Sequence, residues 1–165
     1  MMDKLWAPWR MEYIRSPDQK TDECVFCSKS NDNNDRENLV LYRGDHAFVL
    51  MNLYPYNNGH LLISPYVHEE TTQSLSKESM DEIMSLADTT MNILRDTMKA
   101  QGFNFGANIG TAAGAGIADH IHFHIVPRWV GDTNFMPIVG HTKVMVDGLL
   151  ETYDKLKLEF NKVNK

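Results

Sequence analysis

The stretch His120-Ile121-His122-Phe123-His124-Ile125-Val126-Pro127 alternates histidine with a large apolar residue. A period of two marks a strand with two unlike faces. His120, His122 and His124 project together, while Ile121, Phe123 and Ile125 turn into the core. At a rise of about 3.3 Å per residue, neighbouring histidines stand roughly 6.6 Å apart and the outer two roughly 13 Å. A metal bound at about 2.1 Å is within reach of two neighbours but not of the outer pair. At least one of the three histidines therefore has another task. Near pH 7 an imidazole with an ordinary pKa of about 6.5 is mostly neutral and nucleophilic. Attack on phosphorus would create an N-linked intermediate and split one displacement into two steps. The central His122 is best placed for that attack, with its neighbours fixing its tautomer, binding phosphate oxygens or donating a proton.

Upstream of the histidines, Gly110-Thr111-Ala112-Ala113-Gly114-Ala115-Gly116 lets a ligand approach the backbone closely and offers amide N–H groups to anionic oxygens. It joins a strand predicted over 103–109 to the histidine strand over 120–126. Earlier, Leu39-Val40-Leu41-Tyr42 and Ala47-Phe48-Val49-Leu50-Met51 flank the Gly-bearing turn Arg43-Gly44-Asp45-His46 and read as a hairpin. After the turn residues 54–59, His60-Leu61-Leu62-Ile63-Ser64 resumes as a strand. Ser76 is the expected N-cap of a long helix whose stripe is Met80, Ile83, Met84, Ala87, Met91, Leu94 and Met98, with Gly102 as its stop. That stripe is core packing. A closing amphipathic helix is expected over 147–163. Strands with one long central and one terminal helix give an α+β fold.

Cys24-Val25-Phe26-Cys27 supplies half of a tetrahedral zinc site and needs two more ligands. The candidates by type are His46, His60, His68, His120 and His141, and His120 is attractive because its use leaves His122 free. Asp22-Glu23 before the pair and the polar tract over 31–37 after it suggest a loop, which argues against a redox pair at a helix start.

The 165 residues fit one domain, and 42% apolar with 23% charged residues is a soluble globular composition. A formal charge of -6 argues against stable binding to nucleic acid. No apolar run approaches the roughly 18 residues of a membrane span, and with no hydrophobic leader the chain reads as cytoplasmic. Trp6, Trp9 and Tyr13 are read as anchors of the N-terminal segment, and Lys155, Lys157, Lys162 and Lys165 as solvating the last helix.

The histidine stretch resembles the signature of the histidine triad (HIT) nucleotide-binding superfamily. Pro127-Arg128-Trp129, Asn52, Gly59-His60-Leu61-Leu62-Ile63 and Pro65-Tyr66-Val67-His68 extend the likeness in the family's order. Residues 5–14 and 131–137 resemble its bacterial diadenosine tetraphosphate phosphorylase or ATP adenylyltransferase-like branch. The resemblance implies one α+β domain over 1–165, with a five-stranded antiparallel sheet, an N-terminal extension over 1–37 and a catalytic core over 38–165. It implies a homodimer that binds purine nucleotides (AMP, ADP, ATP, dinucleoside polyphosphates) and cleaves at an α-phosphate. His122 is then the nucleophile and His124 the residue that contacts phosphate and assists the leaving group. Asn52 lies at the ribose and Asn108 near the phosphates, while Gly116 and Ile117 give backbone contacts. Cys24, Cys27, His68 and His120 match the ligands of a structural Zn2+. Where many members carry Gly-Gln-Ser/Thr before the first histidine, this chain has Ala115-Gly116-Ile117-Ala118-Asp119 and no hydroxyl. That favours a leaving group needing little protonation, such as a polyphosphate, over an amine released from an adenosine phosphoramidate. The alternatives are a phosphoramidate hydrolase, a metallohydrolase with an open metal position, and a nucleotide-binding interaction module.

Overall fold

The computed structural model describes residues 23–132 and 148–163. The anchors at 6, 9 and 13, most of the 131–137 signature and His141 lie outside them. Two short helices, α1 (Val25–Asn31) and α2 (Asp35–Asn38), precede strands β1 (Val40–Arg43), β2 (Ala47–Met51) and β3 (Leu61–Pro65). The long helix α3 (Lys77–Met98) follows, then β4 (Gly102–Ala107), β5 (Phe123–Arg128) and the closing helix α4 (Leu149–Phe160). The strands form one sheet in the order β1-β2-β3-β5-β4, and every neighbouring pair is antiparallel. This is the expected α+β architecture.

Strand alternation splits the sheet into two faces. One carries Leu41, Val49, Ile63, Ile121, Phe123 and Ile125, packed with Ile83, Leu86 and Leu94 of α3 and Tyr153, Leu156 and Phe160 of α4. The opposite face carries Val40, Phe48, Leu50 and Leu62, covered by Phe26 of α1. The chemistry lies on that second face. Burial of each large aliphatic side chain contributes about 1.5–3 kcal/mol, so the α3 side supplies most of the stability and leaves the other face available for a ligand.

Several local expectations are corrected. The Ser76 side chain accepts from the Ser79 N–H as predicted, but α3 ends at Met98, with Lys99 rather than Gly102 in the left-handed cap position (φ 55°). Gly102 instead opens β4. On the buried stripe, Met84 is 51% exposed, and Ser79, Leu86 and Thr90 take the buried places around Ile83, Ala87 and Leu94. Strand β4 ends at Ala107 rather than 109, and β5 starts at Phe123, so His120 and His122 precede the strand ladder, with His120 in a bend. The cysteine pair is not in a loop: Cys24 is the N-cap of α1 and Cys27 lies within it. The polar tract likewise contains the start of α2.

Tertiary contacts explain the two unforeseen helices. The Arg43 guanidinium donates to the carbonyls of Lys29, Ser30 and Asp32, at the end of α1 where carbonyls have no intrahelical partner. It also pairs with Asp35 of α2 at 2.9 Å. Lys157 of α4 reaches the same Asp35 and the carbonyls of Val40 and Leu41, so this lysine is a tie between elements rather than a solvating charge.

One carboxylate takes three backbone donors of the β1–β2 turn. Glu82 of α3 accepts from the backbone N–H groups of Asp45, His46 and Ala47 at 2.5–2.8 Å. A Cβ at Gly44 would lie 2.9 Å from the Ala47 carbonyl oxygen and 2.6 Å from a Glu82 carboxylate oxygen, so a side chain there would force the turn to shift. Glu82→Ala is expected to cost about 2 kcal/mol, since charge-assisted bonds are lost while water reaches part of the turn. That corresponds to a fall in Tm of roughly 5 °C, measurable by calorimetry.

Candidate active site and metal centre

His120, His122 and His124 fall on the site face as the alternation predicts, but each has a different partner. The buried His120 donates from Nε2 to the carbonyl of Pro65 at 3.0 Å. Its Nδ1 therefore keeps a lone pair, and that atom stands 3.3 Å from Cys24 Sγ, 3.6 Å from Cys27 Sγ and 3.3 Å from His68 Nδ1. His68 Nδ1 is also 3.3 Å from Cys27 Sγ. The four donor atoms all lie within 4.8 Å of one another. A tetrahedral zinc with bonds of about 2.05 Å to nitrogen and 2.3 Å to sulfur has edges of roughly 3.3 Å between nitrogens and 3.6 Å between nitrogen and sulfur. The donor set fits a metal ion of that kind.

Outer partners complete the fit. Pro65 fixes the His120 tautomer, and Asp119 lies 3.9 Å from His68 Nε2. Burial, followed by the neighbouring Cys24, pushes the Cys27 thiol up to about 11. Two adjacent thiolates are costly without a cation between them, which is the situation a divalent metal relieves.

His122 turns away from this cluster. Its Nδ1–H donates to the carbonyl of His120 at 2.9 Å, which leaves the lone pair on Nε2. Burial holds its pKa below the ordinary histidine range, against the opposing pull of that hydrogen bond, so the ring is neutral. Phe26 packs on it with ring centres 4.7 Å apart, and on His120 at 5.1 Å. One phenyl ring on α1 thus fixes both imidazoles.

His124 belongs to a second relay. The backbone N–H of Tyr56 donates to His60 Nδ1 at 3.0 Å, and the Asn52 amide lies 3.3 Å from the same atom. His60 consequently carries its proton on Nε2, which faces His124 Nδ1 at 3.0 Å. Accepting there places the proton of a neutral His124 on Nε2, as a donor. The sequence reading placed His60 only among possible metal ligands and in the family motif, and missed this role. The available signal was its position two residues before Leu62, which pairs with His124 across β3 and β5.

One cleft of about 750 Å³ gathers these groups, and its lining includes Asn52, Asn108, Gly116, Ile117, His122 and His124. The five residues expected at the nucleotide thus line the same cleft as His122, the expected nucleophile. Asn108 follows β4, and Asn52 follows β2 with its side-chain oxygen accepting from the Tyr54 N–H. The glycine-bearing loop contains a short 3-10 turn, Thr111–Ala113, with Gly110 and Gly114 in positive-φ conformations. The metal cluster borders the same cleft through Cys24.

Fold and histidine arrangement together define a class, and comparison with known proteins agrees. The HIT domain family model matches residues 33–130, and the chain belongs to that family. Among relatives, the AP-4-A phosphorylase of Mycobacterium tuberculosis H37Rv is 34% identical over 165 residues, covering 96% of this chain and 85% of its own. The bis(5'-adenosyl)-triphosphatase of Dictyostelium discoideum is 27% identical over 93 residues, 56% of this chain and 62% of that one. A hypothetical histidine triad nucleotide-binding protein from Sulfolobus tokodaii strain7 superposes with a TM-score of 0.65 at 28% identity, covering 84% of this chain and 90% of that one. A Zn-bound histidine triad family protein from Mycobacterium smegmatis shares the fold, with a TM-score of 0.68 at 23% identity over 86% of this chain and 95% of that one. The chain is thus a HIT-family nucleotide-binding enzyme related to phosphorylases and hydrolases of diadenosine polyphosphates. No helix among the described residues is long and apolar enough to cross a membrane.

Proposed function

We propose that the protein cleaves a dinucleoside polyphosphate of the diadenosine tetraphosphate kind through a nucleotidyl-His122 intermediate. The observation that carries this reading is the His122 tautomer: Nδ1–H is committed to the His120 carbonyl, so Nε2 is the basic nitrogen of a ring lining the cleft. In the first step Nε2 attacks the α-phosphorus, the bond from phosphorus to the bridging oxygen breaks, and ATP leaves. His124 Nε2–H, set by the relay through His60, bonds the phosphoryl or leaving oxygen. In the second step an acceptor displaces His122 from the adenylyl group. Inorganic phosphate gives ADP, and water gives AMP. The 34% identity to a protein named a phosphorylase favours phosphate.

Asn52 and Asn108 orient the nucleoside and phosphates, and the backbone at Gly116 and Ile117 closes on them. Zn2+ held by Cys24, Cys27, His68 and His120 would supply a structural crosslink. Whereas a catalytic zinc keeps one position for water, four protein donors would satisfy a structural zinc. Its effect on chemistry is then indirect, through the His120 carbonyl that orients His122.

Incubation with diadenosine tetraphosphate, with and without phosphate, tests the reading. ADP plus ATP formed only with phosphate is the expected result. AMP plus ATP without phosphate would make water the acceptor, and turnover of adenosine phosphoramidate alone would overturn the substrate assignment.

A further inference from the structure

Resting on that reading, we infer that Lys29 reads the base of the nucleotide held in the main cleft, and that the base it favours is a 6-oxopurine such as guanine. The cleft has two unlike ends. His122, His124 and Asn108 gather at one, while Val25 on α1 and Leu53 just past β2, 40% and 54% exposed, line the other. Large apolar side chains left open beside a cleft suit the faces of a planar base. Asn52, expected at the ribose, adjoins Leu53.

Lys29 belongs to the second end. It follows Val25 by four residues on α1, so the two share a helix face, and both line the cleft. Its Nζ donates to the carbonyl of Asn38 at 2.8 Å, shortly ahead of β1. The sheet order β1-β2-β3-β5-β4 puts three strand spacings between β1 and the histidine strand β5, roughly 14 Å at about 4.8 Å each. The ammonium is thereby removed from a phosphate at His122 and stands where the edge of the base farthest from the phosphate arrives. Glu23 and Asp119, the carboxylates of the lining, adjoin Cys24 and His120 at the metal cluster instead.

A protonated lysine offers three donors and no acceptor. Asn38 takes one, which leaves two for a ligand. Guanine presents two acceptors, N7 and O6, on one edge, whereas adenine sets an amino donor beside its N7. A donor-only group bonds guanine at both atoms and meets the adenine amino group donor to donor. Lys29 is thus a specificity-determining residue: adenine is accepted, and guanine is preferred.

Calorimetric titration of the intact chain with GMP and with AMP tests this without any turnover. The wild type is expected to bind GMP roughly tenfold tighter than AMP. Lys29→Met should bind the two within about twofold of each other, with the loss on GMP, and Lys29→Arg should keep the preference. A lysine that only ties α1 to Asn38 would move both affinities together or neither. AMP bound as tightly as GMP by the wild type, or a GMP preference that survives in Lys29→Met, would overturn the inference. Turnover of diguanosine and diadenosine tetraphosphate should follow the same ratio. Cleavage of neither, with a GMP preference present in the wild type and absent in Lys29→Met, would overturn the proposed reaction and uphold the base assignment.

Discussion

His122→Ala is expected to lower kcat on diadenosine tetraphosphate by at least about 10³-fold while AMP binds within roughly threefold of the wild-type affinity. The asymmetry follows from what the side chain does. Its Nε2 makes the covalent bond, whereas Asn52, Asn108 and the backbone near Gly116 and Ile117 line the rest of the cleft. Binding contacts made equally in ground and transition states survive the change, and the step that splits the displacement does not. Steady-state kinetics with calorimetric titration of AMP separates the two quantities. Turnover within about tenfold of wild type would show that a different group, or a directly activated acceptor, attacks phosphorus.

Metal loss is expected to act on stability ahead of chemistry. Cys27→Ser, or removal of the ion with a chelator, should lower Tm by roughly 10 °C, because the cluster ties α1 to the segment before β3's partner strand and loses a few kcal/mol of folding linkage. Cys24 and Cys27 come from the start of α1, while His68 and His120 come from segments 41 and 93 residues beyond Cys27. Without the ion, the buried His120 and the partly buried Cys24 and Cys27 must be protonated or hydrogen-bonded instead, while the exposed His68 can turn to water. His120 still donates to Pro65, so its carbonyl remains available to orient His122. In protein that stays folded at low temperature, kcat should therefore fall less than tenfold. Metal content by mass spectrometry alongside a thermal melt reads the effect. An immediate total loss of activity with an unchanged melt would assign the ion a direct part in the reaction.

The sequence was most informative where side-chain spacing alone determines geometry. Alternation over residues 120–126 separates Ile121, Phe123 and Ile125 from the histidines as the core has them, and of the three histidines only His120 stands with Cys24, Cys27 and His68. His120 joins the metal donors, His122 turns to the cleft, and His124 meets His60. Less legible were features set by contacts distant in the chain. Helix α1 forms around the cysteine pair because Phe26 is buried and Arg43 satisfies its last carbonyls, neither of which local propensity records. The His60 tautomer depends on a backbone N–H at Tyr56 and on the β3–β5 pairing. Lys157 looked like a solvated charge because its partners, Asp35 and two carbonyls of β1, lie more than a hundred residues away.

The central claim is a covalent bond from His122 to an adenylyl group. Mixing the protein with diadenosine tetraphosphate in phosphate-free buffer, quenching it within one turnover and mapping the peptides by mass spectrometry tests that claim most directly. The account predicts a mass increase of one adenylyl group on the peptide that contains His122, stable to base and labile to acid, and lost when phosphate is added before the quench. Products formed at full rate in the burst, with no adduct on that peptide at any quench time, would contradict it.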